Sequence, residues 1–341
     1  NICRNYDYPH IIMMYYHMFQ IAEYYPDKVK YLDAEGYLER AYQTAKALYT
    51  YPYEIYPWED TYKWGLMNEL VILPLIQDLE RDGRIQEAGF LRDEWEKKVK
   101  YFVYDDKYPF HSEYSTGSTA MESGYAFAKY GTLHEMKPDT NLWYDTNLKT
   151  WWSHPEVKQK DSRLFMDRLL SANMAIRGFL IPAYYNLGTT NRLCYRSRMG
   201  GLGILDFGLE FAGKPWDWLP AGYASYLGSF ALINSGTAES NYGYWYPGKE
   251  NDGAMGWTFN PGRERTAFSF GKERTIPHGS YPYDGEGDLS NCAIFRMAET
   301  ILTNDPVFGW ISYGGELEQS RKGFSVIPKD GVRSRFSVIT E

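Results

Sequence analysis

The chain has 341 residues, enough to bury a large core in one domain or two. Its 36 Lys and Arg against 44 Asp and Glu leave a net charge of −8. No basic block stands ready to neutralise phosphates, which argues against a nucleic-acid backbone as partner. The excess is aromatic instead: 32 Tyr, 17 Phe and 11 Trp make 18% of the residues. Rings with a polar tip suit sugar stacking as well as core filling.

Three cysteines, Cys3, Cys194 and Cys292, are too few and too scattered for a disulfide framework, and the odd count favours free thiols. No CxxC or His pair supports a zinc site. Nothing approaches the ~20 apolar residues of a membrane-spanning helix. The opening NICRNYDYPH has no signal-peptide pattern and no initiator Met. The closing RSRFSVITE stops within a strand-like run, so both ends read as cuts in a longer polypeptide.

Tyr8-Pro9-His10 opens an apolar segment ended by Pro26, which reads as a buried helix. A second helix is expected over Ala34 to Tyr49, with Tyr37, Leu38, Ala41, Ala45 and Leu48 on one face. A third is expected over Tyr62 to Arg81, with Pro74 as a kink or cap. Asp82-Gly83 is a break. A charged helix then runs to about Tyr104, buried along Ala88, Leu91, Trp95 and Val99.

The stretch from Asp105 to Gly131 carries the most chemistry. A polar, aromatic loop, Tyr108 to Glu113, runs through a Ser/Thr/Gly tract into a short helix over Thr119 to Tyr130. Its carboxylates Glu113 and Glu122 lie nine residues apart. A loop feeding polar side chains onto a helix start can hold a catalytic acid. Glu122 also fits a capping box with Ser118 or Thr119, a role Glu113 does not have.

Gly131 to Lys160 reads as a long aromatic loop. Helices follow over Asp161 to Leu187, bent at Pro182, over Gly200 to Phe211 and over Ala221 to Ile233. Asn234 to Asp288 shows almost no period, and a loop of that length points to function. Leu289 to Leu302 reads as the last helix, and strand-like alternation follows Pro306. The chain is thus expected to be mainly α, built of helical hairpins, with a β-rich end. Gly200-Gly201-x-Gly203 follows no strand and reads as close helix packing, not a dinucleotide site. Asp284, Glu286 and Asp288 resemble a calcium loop only loosely, so no cofactor is expected beyond that faint Ca2+ possibility.

Four phrases carry a family resemblance. RNYDYPH resembles an Arg-x-Tyr-Asn-Tyr-Pro-His entry segment. PFHSEYSTGSTAMESGYA resembles Pro-Phe-x-Ser-Glu followed by Ser-Thr and a Glu. DPVFGWISYGGELE resembles a Phe-Gly-Trp-x-x-Phe-Gly-Gly junction, and IPKDGVRSRF a Pro-x-Asp-x-x-Arg-x-Arg strand pair. Together they look like a bacterial and fungal family among the six-hairpin glycosidase-like proteins. The resemblance implies an (α/α) toroid over residues 1–304, the start of a β-sandwich-type domain over 305–341, and flanking β domains outside this chain. It also implies an oligo- or polysaccharide partner and a secreted or periplasmic location. Thr116-Gly117 stands where the pattern has Trp-Asp, so one of the family's acids is missing.

A glycoside hydrolase needs two carboxyls across the scissile bond, roughly 5 Å apart for retention or about 6.5–9.5 Å for inversion. Glu113 is the favoured acid, because Phe110 and Tyr114 could desolvate it. Asp217, between Trp216 and Trp218, is the first choice for the second carboxylate. Asp206 and Glu122 are its rivals, and Asp217 also fits a turn before Pro220.

A polysaccharide lyase acting on uronic-acid units would need groups that neutralise a carboxylate and a Tyr or His base. Tyr8, His10, Asn173, Arg177 and Tyr223 are the candidates. Tyr242 and Trp245, with their aromatic neighbours, would wall a cleft. A non-catalytic carbohydrate-binding scaffold is the reading from another class; the Asp-rich motif of isoprenoid-type α-toroid enzymes is absent.

Overall fold

The computed structural model describes residues 5–51, 61–104, 111, 120–145, 150–154, 156–177, 193–233, 257–259, 265–269, 272–276, 280–282, 299–329 and 335–340. Within these, only the backbone is described at 139–152, 154, 174–177, 193–200, 228–233 and 257–282. Eight α-helices and a set of short strands concentrated toward the C-terminus make the described residues mainly helical. The chain divides into two compact units, Asn1–Ala172 and Asn173–Glu341.

In the first unit, α1 spans Asp7–Tyr24 and α2 spans Ala34–Thr50. They pack together across a short connection, as a helical hairpin does. The expectation of a fully buried α1 needs correction. Pro9, Ile12, Met13, Tyr16, Phe19 and Ala22 form one buried face, while Met14 and Ile21 face solvent. Pro9 sits in the first turn, where a missing N–H breaks no intrahelical bond. Asp33 caps α2, its Oδ1 accepting from Gly36 N at 2.8 Å. All five residues of the α2 stripe expected from the sequence are buried.

The expected third helix is shorter than its apolar pattern. α3 spans Ile72–Arg81 behind a single 3-10 turn, Glu69–Val71, and 61–68 is irregular. Asn68 takes a left-handed backbone, φ 62°, which an α-helix of L-residues cannot absorb. Pro74 therefore lies in the first turn of α3 and no kink results.

Beyond Gly83, α4 spans Ile85–Tyr104, with Ala88, Leu91, Trp95 and Val99 all fully buried. It packs on α5, Ala120–Leu133, through Trp95 and Phe102 against Phe127, each pair 4.8 Å between ring centres. The first nine residues of α5, Ala120 to Ala128, are all buried. A helix buried all round is normally apolar all round, so Glu122 and Ser123 there stand out.

The presumed loop after Gly131 contains a β-hairpin. β1, Asp139–Asp145, pairs antiparallel with β2, Thr150–His154. Both runs are rich in aromatic and β-branched residues, whose β-propensity outweighs the missing alternation. α6, Gln159–Arg177, follows and crosses from the first unit into the second.

In the second unit, α7 spans Leu193–Glu210 and α8 spans Leu219–Ile233. The glycines expected to bring helices close do so. A Cβ on Gly201 would lie 2.1 Å from Ser225 Cβ, and one on Gly222 2.6 Å from Leu205 Cα. The aperiodic stretch holds two antiparallel pairs, β3 (Trp257–Phe259) with β6 (Ser280–Pro282) and β4 (Arg265–Ser269) with β5 (Lys272–Ile276).

The helix expected to run to Leu302 is overturned at its end, where Thr300–Asp305 forms β7. Its TILTND sequence is β-branched at three of six positions. β7 is the centre of a three-stranded sheet, antiparallel to β8 (Gly309–Tyr313) and parallel to β11 (Phe336–Ile339). β9 (Gly315–Ser320) and β10 (Gly323–Pro328) form a separate hairpin. Leu205, Leu219, Tyr223, Tyr226 and Ile301 join α7, α8 and β7 in one core.

Candidate functional site

The segment 61–71, just before α3, is held by polar groups from several elements. Lys98, from the buried face of α4, donates to Trp64 O at 2.9 Å and pairs with the Glu69 carboxylate; both charged side chains are fully buried. Glu69 also accepts from Leu66 N at 3.1 Å. Burial pushes the Glu69 carboxyl up, while Lys98 and the Leu66 N–H pull it back and Glu122 adds a further upward push. Tyr6, just before α1, donates its hydroxyl to Gly65 O at 3.1 Å and sets its ring edge-on to Trp64. Gly65 N donates to His111 O at 3.1 Å.

Gly65 itself is wedged against the start of α5. An added Cβ would lie 2.6 Å from both Ala120 Cβ and Ser123 Oγ, and 2.7 Å from Ala120 Cα. Because backbone would have to move, Gly65→Ala is expected to destabilise the first unit by about 1–3 kcal/mol. Chemical denaturation of the two proteins checks this; equal midpoints would mean α5 is free to shift.

At the centre of this arrangement Asn68 joins two of the residues the sequence singles out. Its backbone N–H points to Glu122 Oε2 at 3.4 Å, long for a hydrogen bond, and its Nδ2 lies 3.0 Å from Nδ1 of His10. Asn68 is fully buried, Glu122 is 2% exposed, and His10 on α1 is half-buried. Glu122 thus reaches a residue 54 positions away; Ser118 and Thr119, its expected capping partners, lie outside the described residues. Strained backbone and buried ionisable groups are the usual marks of a functional site. A carboxyl and an imidazole held in fixed orientation can share acid–base and hydrogen-bonding work on a polar ligand.

The other expected site residues are placed as follows. Tyr8 lies half-buried in the first turn of α1. Asp217 ends a 3-10 turn, Pro215–Asp217, its N–H bonded to Lys214 O and its side chain exposed. Trp216 and Trp218 are half-buried, and Trp218 meets Phe207 of α7 edge-on at 4.8 Å. Asp206 is half-buried on α7.

Tyr223 sits in the core of the second unit, against Tyr226 and Tyr313 at 5.4 and 5.3 Å. Asn173 is buried, and Arg177 ends α6 with only its backbone described. Glu113, Tyr242 and Trp245 lie outside the described residues, as do Asp284, Glu286 and Asp288. Among the described residues no group of three His, Cys, Asp or Glu is placed to hold a metal ion. Nor is any described helix long and apolar enough to cross a membrane.

Sequence reasoning passed over Asn68, Glu69 and Lys98. Two signals were present. Lys98 falls within the apolar stripe of α4, three residues after Trp95 and one before Val99. Asn68-Glu69 interrupts an otherwise apolar run, GLMNELVIL, where the helical pattern should have continued.

Residues 1–151 match a family model described as a family of unknown function (DUF5695). That span holds the whole cluster: His10, Gly65, Asn68, Glu69, Lys98 and Glu122. No curated protein and no solved structure matches the chain.

Proposed function

We propose that the chain is a carbohydrate-active enzyme that hydrolyses glycosidic bonds in an oligo- or polysaccharide. Its site lies in the first unit, with Glu122 as one of the two carboxyls and Glu113, nine residues earlier, as the other. The observation that carries this reading is Glu122 itself: a buried carboxyl tied to a left-handed Asn68 that also holds His10. Asp217, exposed on its turn, is the weaker partner. The aromatic surplus and the resemblance to six-hairpin glycosidase-like proteins supply the saccharide.

The helical hairpins with short connections suit sectors of an (α/α) toroid. The same resemblance supports a secreted or periplasmic setting. Incubation of the purified chain with a panel of neutral and uronic-acid polysaccharides tests the reading. New reducing ends with no unsaturated sugar are expected. Unsaturated uronide products, read by their ultraviolet absorbance, would make it a lyase. Binding without turnover across the panel would make it a scaffold.

A further inference from the structure

We propose that the outer face of α1 is a dimer interface, against which a second copy of this chain lays its own α1 antiparallel. The inference goes beyond the saccharide reading and does not rest on it. Ile11, Met14, Met18, Ile21 and Tyr25 follow one another at alternating spacings of three and four residues. That spacing keeps side chains on one line of a helix, the a and d positions of a heptad. Tyr25 stays on the line because its N–H closes a last turn on Ile21 O at 2.8 Å. At about 3.6 residues per turn the line runs almost opposite the buried face around Ile12 and Tyr16. Met14, Ile21 and Tyr25 are 52%, 43% and 64% exposed, and Ile11 and Met18 are half-buried.

An exposed helix face normally carries charge, yet no Asp, Glu, Lys or Arg stands between Asp7 and Glu23. Depleted charge, with Met and aromatic rings in its place, marks the centre of an interface. A saccharide would find nothing along Met14, Met18 and Ile21 to pair with its hydroxyls, and heptad spacing asks for a helix. The line fits its own reverse. In an antiparallel pair an a residue of one helix faces a d residue of the other, so Ile11 meets Ile21 of the second copy and Met14 meets Met18. The two-fold axis then falls midway between Met14 and Met18, at the middle of α1, and the two helices overlap along their whole length. Every contact occurs twice, as a closed dimer requires. α1 is about 27 Å long. A seam of that length, with Tyr24 and Tyr25 at its ends, covers roughly 600–800 Å² per copy, the lower end of what stable interfaces use. Such a dimer is expected to dissociate at about 1–50 μM.

The test is sedimentation equilibrium of the full chain between about 1 and about 200 μM, a range that brackets the expected constant. The wild type is expected to exchange between monomer and dimer. Met14→Glu brings like charges together beside the axis and is expected to raise the dissociation constant roughly 100-fold or more. Its far-ultraviolet circular dichroism should be unchanged, because Met14 faces solvent. Cysteines test the arrangement of the two helices. An equal mixture of Ile11→Cys and Ile21→Cys is expected to give disulfide-linked dimers on mild oxidation, and neither variant alone should exceed the wild type. A wild type that stays monomeric throughout overturns the proposal, as does a Met14→Glu dimer as tight as the wild type. Cross-linking of either cysteine variant alone beyond that of the wild type, or none in the mixture, overturns the antiparallel arrangement. The readouts are mass and cross-linking, so the presence or absence of glycoside hydrolysis bears only on the functional reading.

Discussion

Lys98→Met is expected to destabilise the protein by about 3–5 kcal/mol, as breaking one half of a buried ion pair does. The substitution keeps the volume and the apolar stem but leaves the Glu69 carboxylate buried without its ammonium, and takes a donor from Trp64 O. Denaturant unfolding, followed by tryptophan fluorescence, measures the loss. Pairing the change with Glu69→Leu should recover much of it, because two apolar side chains bury no charge.

The pH dependence has a definite sign. Burial raises the Glu69 carboxyl in the folded state. Its stabilising contribution is therefore fully present below the unfolded value and is lost as pH rises through the folded one. Removing Lys98 removes the largest opposing influence. Lys98→Met should thus be closer to wild type at about pH 5 than at about pH 7. A deficit that grows on acidification would mean Glu69 is not the group left exposed to the change.

Glu122→Gln is expected to lower kcat about 10²–10⁴-fold, the usual share of a positioned acid or base, with KM changed far less. Glutamine keeps an oxygen that accepts from Asn68 N and fits the same buried space, so unfolding should shift by no more than about 1–2 kcal/mol. Steady-state kinetics on whichever polysaccharide the panel identifies, beside a denaturation curve, separates the two effects. A residue that merely tied α5 to the 61–71 segment would show the reverse, with rates kept and stability lost.

Much of the helical framework was legible in the sequence because it rests on periodicity. The stripes of α2 and α4 are buried as their spacing requires, and Asp82-Gly83 breaks the chain between α3 and α4. Where the period misled, local chemistry had won. Asn68 is left-handed and held by polar contacts from α1 and α5, while Lys98 of α4 holds its neighbour Glu69, so an apolar run from Leu66 to Leu79 is not one helix. The hairpin of β1 and β2 hid in aromatic runs without alternation, and β7 in a segment whose β-branched residues were read as helical.

The site was legible in part. Glu122 and His10 stood out as polar residues at the starts of apolar helices. Their link through Asn68 spans 54 and 58 residues of sequence, and no local pattern encodes such a contact. Lys98 was visible only as an anomaly within a buried stripe.

The most direct measurement is a crystal structure of Glu122→Gln with an oligosaccharide cut from the polymer it binds. A sugar ring whose oxygens lie within hydrogen-bond distance of residue 122 is the predicted result. A saccharide seated elsewhere, with His10, Asn68 and residue 122 left untouched beneath the helices, would contradict the account.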